Sequence, residues 1–220
     1  MRKSYMNRGE IINNTKEYVR SKLGKEATGH DWWHAFRVWK TAKYIAKKEG
    51  GDLFTIELTA LLHDISDWKF NKGSSDFGLK LTRDWLRKLK IDEKIIKHVC
   101  EIMGSMSFKR AGIKSKIKTM EGKIVQDADR LDALGAIGIA KVFATGSSWK
   151  RLVYNPEISI KKRVRDFRKK DSHSSIHHFY DKPLLLKDLM NTKTGERLAG
   201  ERHEFLEKYL KQFFKEWNLK

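Results

Sequence analysis

The stretch Leu61–Trp68, LLHDISDW, joins two leucines typical of a protein core directly to an imidazole and two carboxylates. Helical spacing places His63, Asp64 and Asp67 on one side of a helix, because 63 to 67 is an i, i+4 step and 64 to 67 is an i, i+3 step. Such groups are costly to bury unless a cation or another partner offsets them. The stretch therefore predicts either a divalent metal site or ordinary structural pairs, with Asp64 bridged to an arginine and His63 satisfied in the core.

Two other segments carry side chains of the metal-binding type in helical contexts. GHDWWHAFRVWKTAKYIA contains His30 and His34, four residues apart in an aromatic-rich stretch, and Arg37 follows close behind. IVQDADRLDALGAIG contains three aspartates, among them Asp129, amid small and aliphatic residues. Three separate helices are thus expected to contribute possible metal ligands, which strengthens the metal interpretation of the opening stretch.

The composition is typical of one well-packed soluble domain. The chain has 220 residues of which 40% are apolar, and this is enough to supply a core. Charge-free runs such as Ala136–Ala140 are far shorter than the roughly 20 apolar residues of a membrane span. A single cysteine, Cys100, and no export-type pattern near Met1 predict a cytoplasmic protein.

The formal net charge of +19 is open to several interpretations. It fits a nucleic acid, an anionic small substrate or an ordinary solvated surface. The lysines are spread over most of the chain, and many stand three or four residues from an acid, as in EKIIKH. The charge by itself therefore does not choose between these partners.

Helical periodicity dominates the sequence, and two prolines in the whole chain leave few internal breaks. Asp52 is a good N-cap candidate, and the two glycines before it are expected to end the preceding helix. The predicted helices lie near 9–23, 31–49, 53–65, 75–90, 92–104, 117–130, 131–145, 159–170 and 183–216, the last interrupted around 191–195. The expected fold is all-α, a single domain over residues 1–220 with its core motifs at about 25–145 and an irregular segment and helical tail at 146–216.

These motifs, in this order, resemble the HD-domain metal-dependent phosphohydrolases, whose pattern is His, then His-Asp, then a distant Asp. The matching residues are His34, His63, Asp64 and Asp129. Four segments look like one group of small bacterial HD hydrolases: GHDWWHAFRV, LLHDISDWKF, IVQDADRLDALGAIGIAKVF and the tail HFYDKPLLLKDLMNTKTGERLAGERHEF. The resemblance implies an HD-type helical bundle in which those four side chains bind one divalent ion.

The implied site mixes nitrogen and oxygen ligands, which suits manganese, iron, cobalt, nickel or zinc better than magnesium. The resemblance also implies a phosphohydrolase acting on nucleotides, with release of pyrophosphate from nucleoside triphosphates by a metal-activated water as the specific expectation. A 5'-nucleotidase, a cyclic-nucleotide phosphodiesterase and a non-catalytic nucleic-acid-binding protein with a vestigial site stay open as alternatives. The expected partner is a small phosphorylated molecule rather than a membrane, and amphipathic helices leave a dimer possible.

Further residues are candidates for catalysis and phosphate binding. Asp67 matches an acid that assists proton transfer in some nucleotide-hydrolysing HD enzymes, with pairing to Lys69 or a backbone N–H as its structural alternative. His30 has capping or aromatic packing as its alternative role, and Arg37 has pairing with Asp64. The candidates for contact with substrate phosphate are His30, Arg37, Lys69, Arg130, Lys150, Lys187 and Arg202.

Overall fold

The computed structural model describes residues 6–24, 29–65, 75–106, 117–160 and 174–220. Within these ranges every regular element is helical and no strand occurs, so the predicted all-α class is confirmed. The helices are α1 (Arg8–Leu23), α2 (Trp32–Glu49), α3 (Leu53–Leu62), α4 (Ser75–Lys88), α5 (Glu93–Ser105), α6 (Met120–Asp132), α7 (Gly135–Ser148), α8 (Ser175–Asp181) and α9 (Lys193–Trp217). Two 3₁₀ turns, Pro183–Leu185 and Lys187–Leu189, stand between α8 and α9.

The described residues form two compact units, and the division falls inside α6, between Ala128 and Asp129. The single domain expected over residues 1–220 stays a prediction. Among the described helices, none is long and apolar enough to cross a membrane.

The first unit is organised around α3, which packs against α1, α2 and α5. All of this helix except Leu53 and Glu57 is buried, and Leu58, Leu61 and Leu62 are fully so. Asp52 caps its first turn as predicted, because its carboxylate accepts hydrogen bonds from the Thr55 backbone N–H (2.9 Å) and hydroxyl (2.6 Å). Because the last turns of α3 are fully buried, they hold the residues that follow them in a fixed place.

The second unit contains the end of α6 together with α7, α8 and α9. Helix α7 packs against α8 and α9, and Phe179 of α8 is fully buried. The Arg202 guanidinium donates a 2.6 Å hydrogen bond to the Leu131 carbonyl, and Lys141 pairs with Asp132 at 2.8 Å. Polar contacts of this kind tie the turn between α6 and α7 to its neighbours.

Several predicted helix bounds are wrong. Helix α3 ends at Leu62 rather than at residue 65, because the Ile65 N–H bonds to the Leu62 carbonyl (3.1 Å) and residues 63–65 form a turn. The helical spacing that was expected to group His63 and Asp64 with Asp67 therefore does not continue past Leu62. His63 and Asp64 lie in the turn, and Asp67 lies outside the described residues.

The later part of the chain also differs from the expected helices. Ser159 and Ile160 are not helical, and residues 161–170 of the predicted helix lie outside the described ranges. Helix α8 falls in a segment expected to be irregular. The interruption expected at 191–195 is confirmed, since α9 begins at Lys193 with Thr192 as its N-cap, although the residues before it form 3₁₀ turns rather than a helix.

Gly135 and Gly200 offer a matched test of the second unit's packing. Gly135 has φ +68°, and an added Cβ would lie 3.2 Å from Cγ of Arg202, whereas a Cβ on Gly200 in α9 meets nothing within 4 Å. Gly135→Ala should lower the free energy of unfolding by about 1–2 kcal/mol, since a left-handed conformation strains an L side chain. Gly200→Ala should raise it by up to about 1 kcal/mol, because alanine is the better helix former. Urea unfolding followed by circular dichroism measures both, and equal effects of the two substitutions would contradict this account.

Candidate metal centre

The first turn of α2 places one imidazole in the interior. Asp31 is the N-cap, and its carboxylate accepts the His34 backbone N–H at 2.8 Å. His34 therefore belongs to the first helical turn, where its side chain is completely buried. His30 stands just before the cap, and its ring lies edge-on to that of His34 with the centroids 5.3 Å apart.

The end of α3 supplies the second imidazole in a defined tautomer. His63 is the C-cap residue, and its Nδ1 lies 2.9 Å from the Ala60 carbonyl oxygen. Because a carbonyl only accepts, Nδ1 carries a proton and donates it, so that in the neutral ring Nε2 keeps its lone pair. A histidine held in this way presents Nε2 as a ligand atom.

Asp64 brings these groups together. Its Oδ2 lies 2.8 Å from Nδ1 of His30, 3.3 Å from Nε2 of His34 and 3.6 Å from Nε2 of His63. The two Nε2 atoms of His34 and His63 are 3.2 Å apart. Three imidazoles therefore surround a single carboxylate oxygen of the first unit.

The distances among His34, His63 and Asp64 suit one shared ion. Ligand atoms bonded to a metal at about 2.0–2.2 Å, with bond angles of about 90–110°, lie roughly 2.8–3.6 Å from one another. The three pairwise distances, 3.2, 3.3 and 3.6 Å, fall in this interval. His30, His34 and Asp64 also offer three ligand atoms that lie within 4.8 Å of one another. Imidazole nitrogens with a carboxylate oxygen form a donor set that binds first-row divalent metals.

The ionised state of the Asp64 carboxyl agrees with a role as a metal ligand. Burial by itself raises the pKa of its carboxyl, but the combined effect of His63, His30 and His34 holds that pKa well below its usual value. Asp64 is therefore ionised at neutral pH and can act as an anionic ligand without first losing a proton.

The remaining candidates from the sequence are distributed along the chain. Arg37 is half-buried on α2, one turn after His34, and Asp129 lies on α6 immediately after Ala128. Asp67 and Lys69 lie outside the described residues.

Four basic candidates belong to the second unit. The Arg130 guanidinium donates to the Leu189 carbonyl, and Arg202 donates to that of Leu131. Lys150 is exposed just after α7, and Lys187 is exposed in the second 3₁₀ turn.

Two contributors at this centre were not predicted from the sequence. The Ala60 carbonyl fixes the tautomer of His63, and a main-chain group leaves no signal in the residue type. Asp31 positions His34, and its signal was available, because an aspartate three residues before the histidine has the spacing of an N-cap.

Comparisons with known proteins agree with this geometry. A family model for the HD domain matches residues 32–134. The chain is 37% identical over 202 residues to the uncharacterised protein YpgQ of Bacillus subtilis strain 168. The aligned region covers 91% of each of the two chains.

Solved structures with the same fold cover nearly the whole chain. A crystal structure of an HD-superfamily hydrolase from Bacillus thuringiensis is 43% identical, with a TM-score of 0.76 over 97% of this chain and 100% of that one. The crystal structure of Bacillus subtilis YpgQ in complex with ADP is 35% identical, with a TM-score of 0.73 over 93% of this chain and 97% of that one. With its His-Asp cluster and these relatives, the chain belongs to the HD superfamily of hydrolases, whose HD domains bind divalent metals.

Proposed function

We propose that this chain is a metal-dependent phosphohydrolase acting on nucleotides, and that it cleaves nucleoside triphosphates to monophosphates and pyrophosphate. The observation that carries the proposal is the spacing of the His34, His63 and Asp64 ligand atoms, which lie 3.2–3.6 Å apart. Asp64 is the catalytic carboxylate in this scheme, because it holds the ion beside the reacting phosphate.

Asp129 is proposed as the fourth ligand. The HD pattern requires a distant aspartate, and Asp129 is the residue that matches it. Helix α6 runs unbroken from Met120 to Asp132, so Asp129 directly follows the fully buried Ala128 of the first unit. Two imidazoles and two carboxylates suit manganese, iron, cobalt, nickel or zinc better than magnesium.

The chain's own groups divide the remaining work. When bound, a divalent ion supplies polarisation of a phosphoryl oxygen and activation of the attacking water. His30 donates its Nδ1 hydrogen to Asp64 at 2.8 Å, which orients the carboxylate toward the ion. Asp67 serves as the acid or base that transfers a proton during hydrolysis. Arg37, one turn after His34, neutralises negative charge on the substrate phosphate. Lys69 and the basic side chains of the second unit are further proposed contacts for phosphate oxygens.

Two observations support a nucleotide as the substrate. The relative YpgQ, 35% identical, crystallises in complex with ADP. In this chain Trp33 directly precedes His34, and 57% of its surface is exposed although its neighbour Trp32 is buried. An exposed indole on the helix turn that carries His34 is available to stack on a nucleobase.

The ligand assignment is tested by metal content. His63→Ala and Asp64→Ala should each reduce bound divalent metal from near one ion per chain to a trace, and turnover should disappear with it, because each substitution removes a ligand atom. His98→Ala is the matched control, since this half-exposed imidazole contacts the Thr119 hydroxyl instead (3.1 Å). Elemental analysis after dialysis measures occupancy, with melting temperatures to confirm folding. Full occupancy in folded His63→Ala would refute the assignment.

The reaction is tested with a substrate panel. The metal-loaded full-length chain is incubated with nucleoside mono-, di- and triphosphates, cyclic nucleotides and oligonucleotides, and the products are separated by chromatography. Monophosphate with pyrophosphate is the expected outcome. Nucleoside with phosphate would identify a 5'-nucleotidase, and opening of a cyclic nucleotide a phosphodiesterase. Tight, salt-sensitive binding of oligonucleotide without turnover would identify the nucleic-acid-binding alternative.

Asp67 makes a separable prediction. As a proton-transfer group that does not bind the metal, Asp67→Asn should keep the ion while turnover falls by roughly 10²–10⁴-fold. Asp188→Asn, an exposed aspartate in the second 3₁₀ turn, is the control and should leave turnover unchanged. Metal content, steady-state kinetics and melting temperature are measured for both. Retained metal with near-normal turnover and a lower melting temperature would assign Asp67 a structural role instead.

A further inference from the structure

A cavity of about 410 Å³ lies in the first unit between α1, α2 and the first turns of α3. Its volume is within the range of about 300–1,000 Å³ that is typical of small-molecule sites. It opens at the far end of α3 from the His-Asp cluster. Leu53 at its wall and His63 are ten residues apart, on the order of 15 Å along a helix axis.

The cavity wall carries an excess of positive charge. Arg8, Lys16 and Lys43 are its basic residues, and Glu57 is its acidic residue. Glu57 is mostly buried and already matched, since its Oε1 accepts the Trp39 indole N–H at 2.9 Å and lies 3.4 Å from the Lys43 ammonium. Two cations, those of Arg8 and Lys16, therefore remain in excess at the wall.

Each of these two cations lies against an aromatic ring. The Lys16 ammonium lies 3.9 Å from the ring centroid of Trp39, and the Arg8 guanidinium lies 4.9 Å from that of Phe54. Both rings are buried and therefore fixed. A ring contact restricts a cation before an anion binds, so less freedom is lost on binding, which favours affinity.

The spacing of the cations indicates the kind of anion. Arg8 and Lys16 are eight residues apart on α1, about 12 Å along the axis, so an extended anion reaches both better than a single phosphate does. The contact of Arg8 with Asp52 is 3.7 Å long between exposed groups, and such a pair is weak. The planar guanidinium and the ammonium together are the donors that phosphate oxygens prefer.

We propose that this cavity is a second ligand site, which binds an extended phosphate-bearing small anion away from the metal centre. The proposal does not depend on the reaction assigned to that centre. It concerns binding alone, and its test needs no turnover.

Asn13 and Asn14 provide a matched pair for the test. Both are exposed on α1, but Asn13 lines the cavity and its Oδ1 lies 3.3 Å from the Lys16 ammonium, whereas Asn14 contacts Met6 (3.2 Å) and does not line it. Inorganic tripolyphosphate is titrated calorimetrically into the full-length chain in the presence of EDTA. Asn13→Glu should weaken binding about tenfold or more, because a carboxylate at the wall repels the anion and pairs with Lys16. Asn14→Glu makes the same change in net charge and should alter affinity less than about twofold.

A second pair of substitutions removes a positive charge instead of adding a negative one. Lys16→Gln should weaken binding about tenfold, and Lys22→Gln, on the same helix outside the cavity, should have little effect. His63→Ala should bind tripolyphosphate like the parent chain, which separates this site from the metal centre. Equal weakening by the cavity and control substitutions would mean that the anion responds only to net charge, and this result, or an absence of binding to the parent chain, would overturn the proposal.

Discussion

The contact of three imidazoles with one carboxylate oxygen is the interaction around which the start of α2 and the end of α3 are arranged. Asp64 follows a helix whose last turns are fully buried, so its position is set by the packing of α3 against α1, α2 and α5. The same helix directs its C-terminal end, where carbonyl groups carry partial negative charge, toward the cluster. The Ala60 carbonyl is used by His63, and Asp64 adds a full negative charge. The end of α3 thus favours a cation through its backbone as well as through its side chains.

Helix α2 reaches the cluster with its N-terminal end, whose partial charge is opposite to that of the C-terminal end of α3. Its first turn carries partial positive charge, which is unfavourable beside a cation. Asp31 offsets that charge by accepting the His34 backbone N–H, and it fixes the turn from which the imidazole enters the interior. His34 can therefore be a buried ligand at a helix N-terminus, and His30, just outside the helix, lies where its Nδ1 contacts Asp64. The two helix ends contribute different parts of one centre for electrostatic reasons.

Most of the helices could be predicted from the sequence, and the wrong or missing helix bounds have physical causes. Long amphipathic segments and the Asp52 cap gave correct helices, because periodicity and capping are local signals. Helix α8 was missed because seven residues carry too little periodicity. Its start is held by tertiary contacts, with the Ser175 and Ile176 N–H groups bonded to the carbonyls of Leu152 and Val153. His63 and Asp64 were expected on a helix that runs to residue 65, but α3 ends at Leu62, since the turn that follows depends on a backbone hydrogen bond that residue types do not encode.

The net charge of +19 also predicts little by itself, because the position of each cation matters more than the total charge. In the second unit Arg130 and Arg202 each donate to a main-chain carbonyl, so part of each guanidinium is occupied within the fold. Burial lowers the pKa of Arg202, an effect that the nearby Asp132 opposes. Exposed lysines are screened beyond about 8 Å at physiological salt and act mainly as a general field. Selectivity for a phosphate then requires cations that a neighbouring group restricts without neutralising their charge. An aromatic ring meets this requirement, whereas a carboxylate neutralises the cation. Lys16 over Trp39 meets that condition, and Lys43, which is paired with Glu57, does not.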